Sequence, residues 1–247
     1  MKLVIGDAKQ FKQSIEAVVN LVDEGLFEVN ENGLHLRAMD PSQIAMVDYL
    51  MPKAVFKEFE AEQATLGLNL VDFLKILGRT RSDEQLILTT EEKEAKCVLE
   101  FISPNGKRNI RLPLIDLNVS APREPKIPFD TTIKMRGGTL KEMLKDAGLL
   151  SSHVTITADA DKFIIEAKGD SGDLRIENNK NAPNLAELTS NASCRAMFPF
   201  EYLDNMTKSC PDDSIIEFQL KTNAPVKISF TVGQAKLSYY LAPRVEN

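Results

Sequence analysis

Apolar residues recur along this chain with two spacings, one typical of helices and one typical of strands. A first helix is predicted after Asp7, which can cap it, with Gln10 three residues further on. Asn69 is a candidate cap for a second helix, Thr139-Leu-Lys-Glu142 is a candidate capping box for a third, and a fourth is predicted over residues 199–208. The apolar faces of the first three helices are predicted at Phe11, Ile15, Val18, Val19 and Val22; at Leu70, Phe73, Leu74 and Leu77; and at Leu140, Met143, Leu144 and Ala147.

Shorter segments between the helices are rich in apolar and β-branched residues, which predicts strands. They fall at residues 26–29, 34–39, 44–51, 85–90, 95–102, 107–112, 154–157, 163–167, 215–220, 226–232 and 236–241. The Asn32-Gly33 pair is typical of the turn between the first two strands. Helices interspersed with successive strands indicate an α+β fold.

The second half of the chain repeats the first at a constant offset, which relates position 11 to position 140 and position 84 to position 213. The matching segments are Phe11-Lys-Gln-Ser-Ile with Leu140-Lys-Glu-Met-Leu, Leu36-Arg-Ala-Met-Asp40 with Ile165-Glu-Ala-Lys-Gly169, Phe73-Leu74 with Tyr202-Leu203, and Glu84-Gln-Leu-Ile-Leu88 with Asp213-Ser-Ile-Ile-Glu217. The chain is therefore predicted to be a duplicated unit with domains at residues 1–113 and 130–247.

Residues 114–129 form a connecting loop between the two predicted domains. Pro122, Pro125 and Pro128 exclude a regular helix or a central strand from its second half. Apolar residues, including Val119 and Ile127, nevertheless recur along it, as they would not in a flexible spacer. We interpret the connecting loop as an extended surface segment that offers apolar side chains to a partner.

Composition narrows the functional class. The chain is 43% hydrophobic and 27% charged, which suits a folded protein, and its net charge of −6 argues against a surface coated with positive charge. Three widely spaced cysteines without a CxxC pattern, and an N-terminus without a signal-peptide core, predict an intracellular protein that is not secreted.

Motifs that would carry catalysis are weak. His35 and His153 have no metal ligand at suitable spacing, and His35 is predicted to be a surface residue on a strand. The Gly169-Asp-Ser-Gly172 segment resembles a serine-protease motif but is better interpreted as a turn, and Gly137-Gly138 as the entry to a helix. Asp159 and Asp161 lack the remainder of a calcium loop. We therefore expect a binding protein without a cofactor or metal, although a hydrolase with an unrecognised site is the alternative.

Basic residues lie on the helix faces opposite the apolar ones, or just beyond the helices. They are Lys9, Lys12, Lys75, Arg79, Arg81, Lys141, Lys145 and Lys208. For each helix taken alone, an ordinary solvent-exposed face explains the basic residues. Together they suggest one surface that presents basic side chains to phosphate, with sequence-independent and salt-sensitive binding.

Several segments resemble proliferating cell nuclear antigen (PCNA), the sliding clamp of DNA replication, in an archaeal form. They are Leu36-Arg-Ala-Met-Asp-Pro-Ser-Gln-Ile-Ala-Met46, Leu68-Asn-Leu70 with Leu74-Lys-Ile-Leu77, Leu114-Ile-Asp-Leu117 with Ile127-Pro128, and Leu237-Ser-Tyr-Tyr-Leu-Ala-Pro-Arg-Val-Glu246. The resemblance implies a trimeric ring of two-domain subunits, with helices on the inner face against duplex DNA and antiparallel sheets outside. A homotrimer is the first expectation and a subunit of a heterotrimer the second.

The resemblance also implies a role as a polymerase processivity factor and a docking platform. Expected partners are double-stranded DNA, a clamp loader, a DNA polymerase, a flap endonuclease and a DNA ligase, the proteins docking through short glutamine-aromatic (PIP-box) peptides. The implied peptide pocket consists of Met39, Gln43, Ile44, Met46, Ile127, Pro128, Pro225, Leu241, Ala242 and Pro243. The implied subunit interface consists of Arg108, Ile110, Arg111, Leu174, Ile176 and Glu177, with the two arginines facing Glu177.

Overall fold

A computed structural model describes residues 1–117 and 121–244. Residues 118–120 of the connecting loop, with the predicted apolar Val119, lie outside the described residues, as does the end of the 237–246 motif. No helix in the described part of the chain is long and apolar enough to cross a membrane.

The described residues form four α-helices and eighteen strands. The helices are α1 Ala8–Val19, α2 Leu70–Leu77, α3 Gly137–Gly148 and α4 Phe200–Thr207. In the first half the strands are β1 Lys2–Ile5, β2 Glu24–Asn30, β3 Gly33–Met39, β4 Ala45–Pro52, β5 Glu58–Glu60, β6 Ala64–Asn69, β7 Gln85–Glu91, β8 Lys96–Ser103 and β9 Gly106–Pro113. In the second half they are β10 Thr131–Arg136, β11 His153–Ala158, β12 Lys162–Gly169, β13 Gly172–Asn179, β14 Leu185–Ser190, β15 Cys194–Pro199, β16 Ile215–Leu220, β17 Val226–Val232 and β18 Ala235–Leu241.

The chain divides into two compact units. The first comprises Met1–Pro41, Val47–Arg123 and Val232–Leu237. The second comprises Ser42–Met46, Glu124–Thr231 and the residues from Ser238 onward. The short segment Ser42–Met46 therefore packs with the second unit although it lies early in the sequence.

The two halves use the same strand order, which confirms the duplicated α+β fold. Hydrogen-bonded strands run β5-β1-β7-β8-β9 and β4-β3-β2-β6 in the first half, and β14-β10-β16-β17-β18 and β13-β12-β11-β15 in the second. Each strand of the second half occupies the place of the first-half strand whose number is lower by nine. The helices follow the same rule, since α1 begins at position 8 and α3 at position 137, the separation that also relates positions 11 and 140.

Each pair of helices packs through the apolar faces that the sequence predicts. Asp7 caps α1 by accepting a hydrogen bond from the Gln10 amide at 2.9 Å, and Asn69 caps α2 in the same way. The Phe11 and Phe73 rings then meet edge to face at 6.1 Å in the core of the first unit. In the second unit Leu140, Leu144, Leu203 and Met206 are fully buried on α3 and α4.

The capping box predicted at Thr139 is wrong. α3 begins two residues earlier, at Gly137, and its cap Arg136 makes no side-chain capping bond. A Cβ atom on Gly137 would lie 2.6 Å from Cys210 Sγ and 2.7 Å from the Pro211 carbonyl oxygen. Close packing against the segment that follows α4 therefore selects glycine at this position.

The turn of the first hairpin also differs from the prediction. Asn30 pairs with Gly33, so the turn residues are Glu31 and Asn32. Gly33 lies in β3 with a φ of 133°, and a Cβ there would approach the Met51 carbonyl oxygen to 2.1 Å. The glycine is required by this close approach.

Candidate functional site

The predicted DNA-binding residues of the first unit lie on or beside α1 and α2. Lys12 Nζ pairs with Glu16 at 2.7 Å, and Lys75 Nζ pairs with Asp72 at 2.9 Å. Lys9, Arg79 and Arg81 are exposed and form no ion pair within the described residues. The members of this basic set therefore differ in how freely they can receive a phosphate group.

The predicted DNA-binding residues of the second unit line one cleft of about 520 Å³ between α3 and α4. Lys141 pairs with Asp212 and donates to the Cys210 carbonyl oxygen at 2.8 Å, which leaves its side chain only 18% exposed. Lys145 pairs with Glu142 at 2.8 Å, and this hydrogen bond raises the pKa of Lys145. Lys208 is exposed and forms no ion pair within the described residues.

Three acidic side chains, Glu142, Asp204 and Asp212, lie among these lysines at the cleft. Sequence analysis assigned the lysines to a phosphate-binding face but could not place Asp212, which lies far along the chain from Lys141. Within the described chain, the structure therefore separates basic residues that have a carboxylate partner from the four that form no ion pair: Lys9, Arg79, Arg81 and Lys208.

The predicted peptide pocket contains both exposed and buried residues. Met39 and Ile44 are among the few large hydrophobic side chains that face solvent, at 38% and 36% exposure. Met46 and Leu241 are buried, with 2% and 0% exposure, so their side chains lie beneath the surface and are not part of it. Gln43 is exposed and adopts a φ of 58°, in the left-handed region that non-glycine residues rarely occupy.

A backbone hydrogen bond joins two segments of this pocket within the second unit. The Ala242 amide donates to the Ile44 carbonyl oxygen at 2.8 Å. The segment containing Gln43 and Ile44 is thereby attached just beyond the end of β18. Four further predicted pocket residues lie at the surface: Pro128 is exposed, whereas Ile127, Pro225 and Pro243 are half-buried.

The connecting loop is anchored at its start and again near its middle. The Leu114 amide donates to the Ala95 carbonyl at 2.8 Å, and the Ile115 amide donates to the Gly67 carbonyl at 2.9 Å, both within the first unit. Glu124, in the second unit, accepts a hydrogen bond from the Tyr240 hydroxyl at 2.5 Å. It also forms an ion pair with Lys227 Nζ at 3.3 Å.

Sequence analysis missed the group formed by Glu124, Lys227 and Tyr240. One signal could have identified it. Tyr239 and Tyr240 are adjacent in a strand, so their side chains point to opposite faces. The two hydroxyl groups therefore cannot lie in the same core. Tyr239 stacks on Phe230 at 5.8 Å, whereas Tyr240 turns to the other face and finds Glu124.

The predicted interface residues lie on two strands that end their runs, β9 and β13. Ile110, Leu174 and Ile176 are half-buried there and alternate with exposed residues. Such an edge offers unpaired backbone groups and apolar side chains to another chain.

The charges on these edge strands already have partners within the chain. Arg108 binds both carboxylate oxygens of Glu84 at 2.7 Å and lies over the Phe101 ring at 4.8 Å. Arg111 pairs with Glu91 at 3.2 Å, and Glu177 pairs with Arg175 at 2.9 Å. The predicted pairing of both arginines with Glu177 therefore competes with existing ion pairs.

His35 lies on β3 between the buried Leu34 and Leu36, on the more exposed side of the strand, as predicted. Its Nε2 lies 2.7 Å from Asp48 Oδ1, and the residue is half-buried. Burial raises the pKa of Asp48, but hydrogen bonds from His35 and Arg37 outweigh it and hold that pKa below its usual value. The described residues contain no group of histidine, cysteine or acidic side chains arranged to hold a metal. Asp170 and Ser171 form the turn between β12 and β13, as predicted.

Comparison with known proteins identifies the same family over nearly the whole chain. Models of the N-terminal and C-terminal domains of proliferating cell nuclear antigen match residues 1–121 and 124–245. The chain is 39% identical over 247 residues to the DNA polymerase sliding clamp of Methanococcus maripaludis strain C7, with 98% of each protein covered.

Two solved structures have the same fold at modest sequence identity. PCNA from Thermococcus kodakaraensis superposes with a TM-score of 0.92 at 26% identity, covering 98% of this chain and 99% of the other. A. fulgidus PCNA with the C-terminal region of FEN-1 bound superposes with a TM-score of 0.90 at 29% identity, covering 100% and 99%.

Proposed function

The chain belongs to the proliferating cell nuclear antigen family of DNA sliding clamps, and we propose that it encircles duplex DNA as a homotrimer. In this role it keeps a DNA polymerase on its template and serves as a docking platform for replication and repair proteins. The observation that carries the proposal is the match of two successive clamp domains to residues 1–121 and 124–245. The protein acts by binding, inside the cell, without catalysis or a cofactor.

We assign DNA contact to the basic residues of the four helices. Lysine and arginine bind phosphates without reading sequence, so a clamp that uses them can slide. The net charge of −6 is compatible with this because only a local excess of positive charge is needed. Lys9, Arg79, Arg81 and Lys208 contribute most, since among the described residues no ion pair has to be broken to free them.

Ring closure is assigned to the edges β9 and β13. Pairing the edge of one subunit with the other edge of its neighbour is a head-to-tail contact, which closes when rotation returns to the start. Ile110, Leu174 and Ile176 supply the apolar part of that contact. We also propose that residues 114–129 connect two separate domains, at residues 1–113 and 130–247.

Peptide docking is assigned to the predicted pocket residues, of which Met39 and Ile44 are exposed. Exposed methionine and isoleucine side chains are adaptable apolar groups that suit several partners. The prolines of the connecting loop reduce the entropy that the loop loses when a peptide orders it. We propose that a clamp loader, a DNA polymerase, a flap endonuclease and a DNA ligase dock here through peptides with a glutamine and a hydrophobic-aromatic anchor.

A primer-extension assay tests the proposed function. The purified chain is added to a DNA polymerase on primed circular DNA, with and without a clamp loader, and product length is measured. Products are expected to lengthen on circular DNA with the loader. On linear templates with free ends the gain should be smaller, because a topologically linked ring can slide off. Unchanged product length under every condition would contradict the proposal.

A further inference from the structure

Glu124 of the connecting loop occupies a site built by two neighbouring strands of the second unit. Lys227 on β17 and Tyr240 on β18 both direct polar atoms at one oxygen of the Glu124 carboxylate, at 3.3 and 2.5 Å. Lys227 Nζ also lies 5.3 Å from the centre of the Tyr240 ring, which adds a cation–π contact. The donors are fixed by the sheet, whereas the carboxylate comes from a loop.

The donors are much less exposed than the carboxylate that fills the site. Tyr240 is 4% exposed and the Lys227 side chain 23%, compared with 47% for Glu124. Burial lowers the pKa of Lys227, but hydrogen bonds with Tyr240 and Glu124 outweigh it and raise that pKa, so the ammonium group stays charged. A largely buried ammonium and a buried hydroxyl require an acceptor.

The site adjoins the proposed peptide pocket along all three segments. Pro225 precedes Lys227 by two residues, Ala242 follows Tyr240 by two, and Ile127 follows Glu124 by three. A peptide seated against Pro225, Ile127 and Ala242 would therefore pass close to Glu124.

We propose that Lys227 and Tyr240 form a carboxylate-binding subsite at the edge of the pocket, which Glu124 fills in the free protein and an acidic side chain of a docking peptide takes over. This inference rests on the proposed docking function. Exchange of one carboxylate for another keeps both donors satisfied, whereas a peptide that displaced Glu124 with a neutral group would leave a largely buried charge without its partner. The subsite therefore favours acidic partners.

Peptide binding tests the subsite directly. Synthetic peptides with the glutamine and hydrophobic-aromatic anchor are made in pairs that carry Glu or Gln at successive flanking positions, and their Kd values are measured by calorimetry. At one position the Glu peptide is expected to bind the wild-type protein about threefold or more tightly than the Gln peptide. Glu124→Gln should enlarge this ratio by removing the competitor, and Lys227→Met should abolish it.

Lys236→Met is the matched control, since Lys236 is an exposed lysine on β18 four residues before Tyr240. It removes the same charge and should leave the Glu-to-Gln ratio unchanged. A ratio that persists in Lys227→Met, or that is absent at every position, would overturn the inference. Equal weakening of both peptides by Glu124→Gln would also overturn it, because Glu124 would then only position the loop.

A second measurement needs no peptide. Trypsin cleavage after Arg123 and Lys126, both exposed, is followed in the wild type, Tyr240→Phe, Lys227→Met and Lys236→Met. Loss of either donor should accelerate cleavage about threefold or more, and Lys236→Met should not. Unchanged rates would contradict the occupied subsite, whereas faster cleavage without any peptide binding to the wild type would contradict the docking function.

Discussion

At the scale of single residues, basic side chains on similar helix faces have different surroundings. Lys141 is largely buried in its contacts with Asp212 and the Cys210 carbonyl, whereas Lys208 reaches solvent from the end of α4. An ion pair must be broken or shared before a lysine can neutralise a phosphate. Position on a helix face therefore does not by itself measure the contribution to DNA binding.

Replacing the residues without an ion pair by alanine is expected to change DNA binding more than replacing the paired ones. The variant with Lys9, Arg79, Arg81 and Lys208 changed should bind a short duplex more weakly and with a lower dependence on salt, by about one unit of slope per lost phosphate contact. The paired set, Lys12, Lys75, Lys141 and Lys145, should have a smaller effect. Binding is measured by fluorescence anisotropy over a series of NaCl concentrations.

Lys168→Ala is the control for loss of a single positive charge, since Lys168 is exposed on β12 and is not among the predicted DNA-binding residues. It should leave the salt slope unchanged. An unaltered slope in the first variant would remove its four residues from the DNA-binding surface.

Glu84 illustrates how an edge strand is fixed by one buried carboxylate. Its side chain is 2% exposed and accepts hydrogen bonds from the Arg81 amide at 2.8 Å and from Arg108 at 2.7 Å. Burial raises the pKa of Glu84, but these bonds outweigh it and hold the pKa below its usual value of about 4.5. The ionised carboxylate is therefore stabilised by the fold and stabilises it in turn.

We expect Glu84→Gln to lower the free energy of unfolding by about 2 kcal/mol at neutral pH, because Arg108 loses its charged acceptor. The wild type holds this advantage above pH 4.5 and loses it as the pH falls through the lower folded-state pKa. Denaturant unfolding at fixed protein concentration should therefore show the two proteins converging under acid. A difference that stays constant as the pH is lowered well below the usual pKa would contradict this assignment.

At the scale of elements, β9 and β13 are the edges to which we assign ring assembly. Ile110→Asp and Ile176→Asp each place a charge among apolar residues of an edge, and both are expected to give monomers. Size-exclusion chromatography with light scattering measures the mass, and circular dichroism confirms that the variants fold. Asn109→Asp adds the same charge at the exposed neighbouring position and should remain trimeric. Folded trimers of both isoleucine variants would place the interface elsewhere.

Sequence patterns predicted the helices and most strands but missed several strands, and three of these, β6, β10 and β15, were missed for one physical reason. Each of these strands passes directly into a helix: β6 ends at Asn69 and α2 begins at Leu70, and β10 ends at Arg136 before Gly137. No turn residue separates the two elements, so the strand and helix periodicities overlap. The capping box at Thr139 was assigned wrongly because the Thr-x-x-Glu pattern follows two glycines that suggested a turn, whereas the helix already includes both glycines, and Gly137 packs closely on Cys210.

Candidate site residues were predictable by type, but their surroundings were not. Of the predicted pocket residues, Met39 and Ile44 are exposed, whereas Met46 and Leu241 lie in the core. The pairing of Lys141 with Asp212, and of Glu124 with Tyr240, joins residues far apart in the sequence. Such contacts depend on tertiary packing, which a local periodicity does not encode.

At the scale of the whole molecule, the duplication extends beyond the regular elements. The Ile115 amide donates to the Gly67 carbonyl in the first unit, and the Arg244 amide donates to the Met197 carbonyl in the second. Arg244 follows Ile115 by the repeat offset, and Met197 follows Gly67 by that offset plus one residue. The two hydrogen bonds are therefore equivalent in the two repeats. One bond is thus made at the start of the connecting loop and its counterpart close to the end of the chain.

This equivalence gives the connecting loop a different status from the rest of the molecule. The residues beyond Ile115 therefore follow a hydrogen bond that both repeats make. None of the described strands includes any of residues 116–129. We therefore expect substitutions in this segment to change partner choice more than they change the fold of either unit.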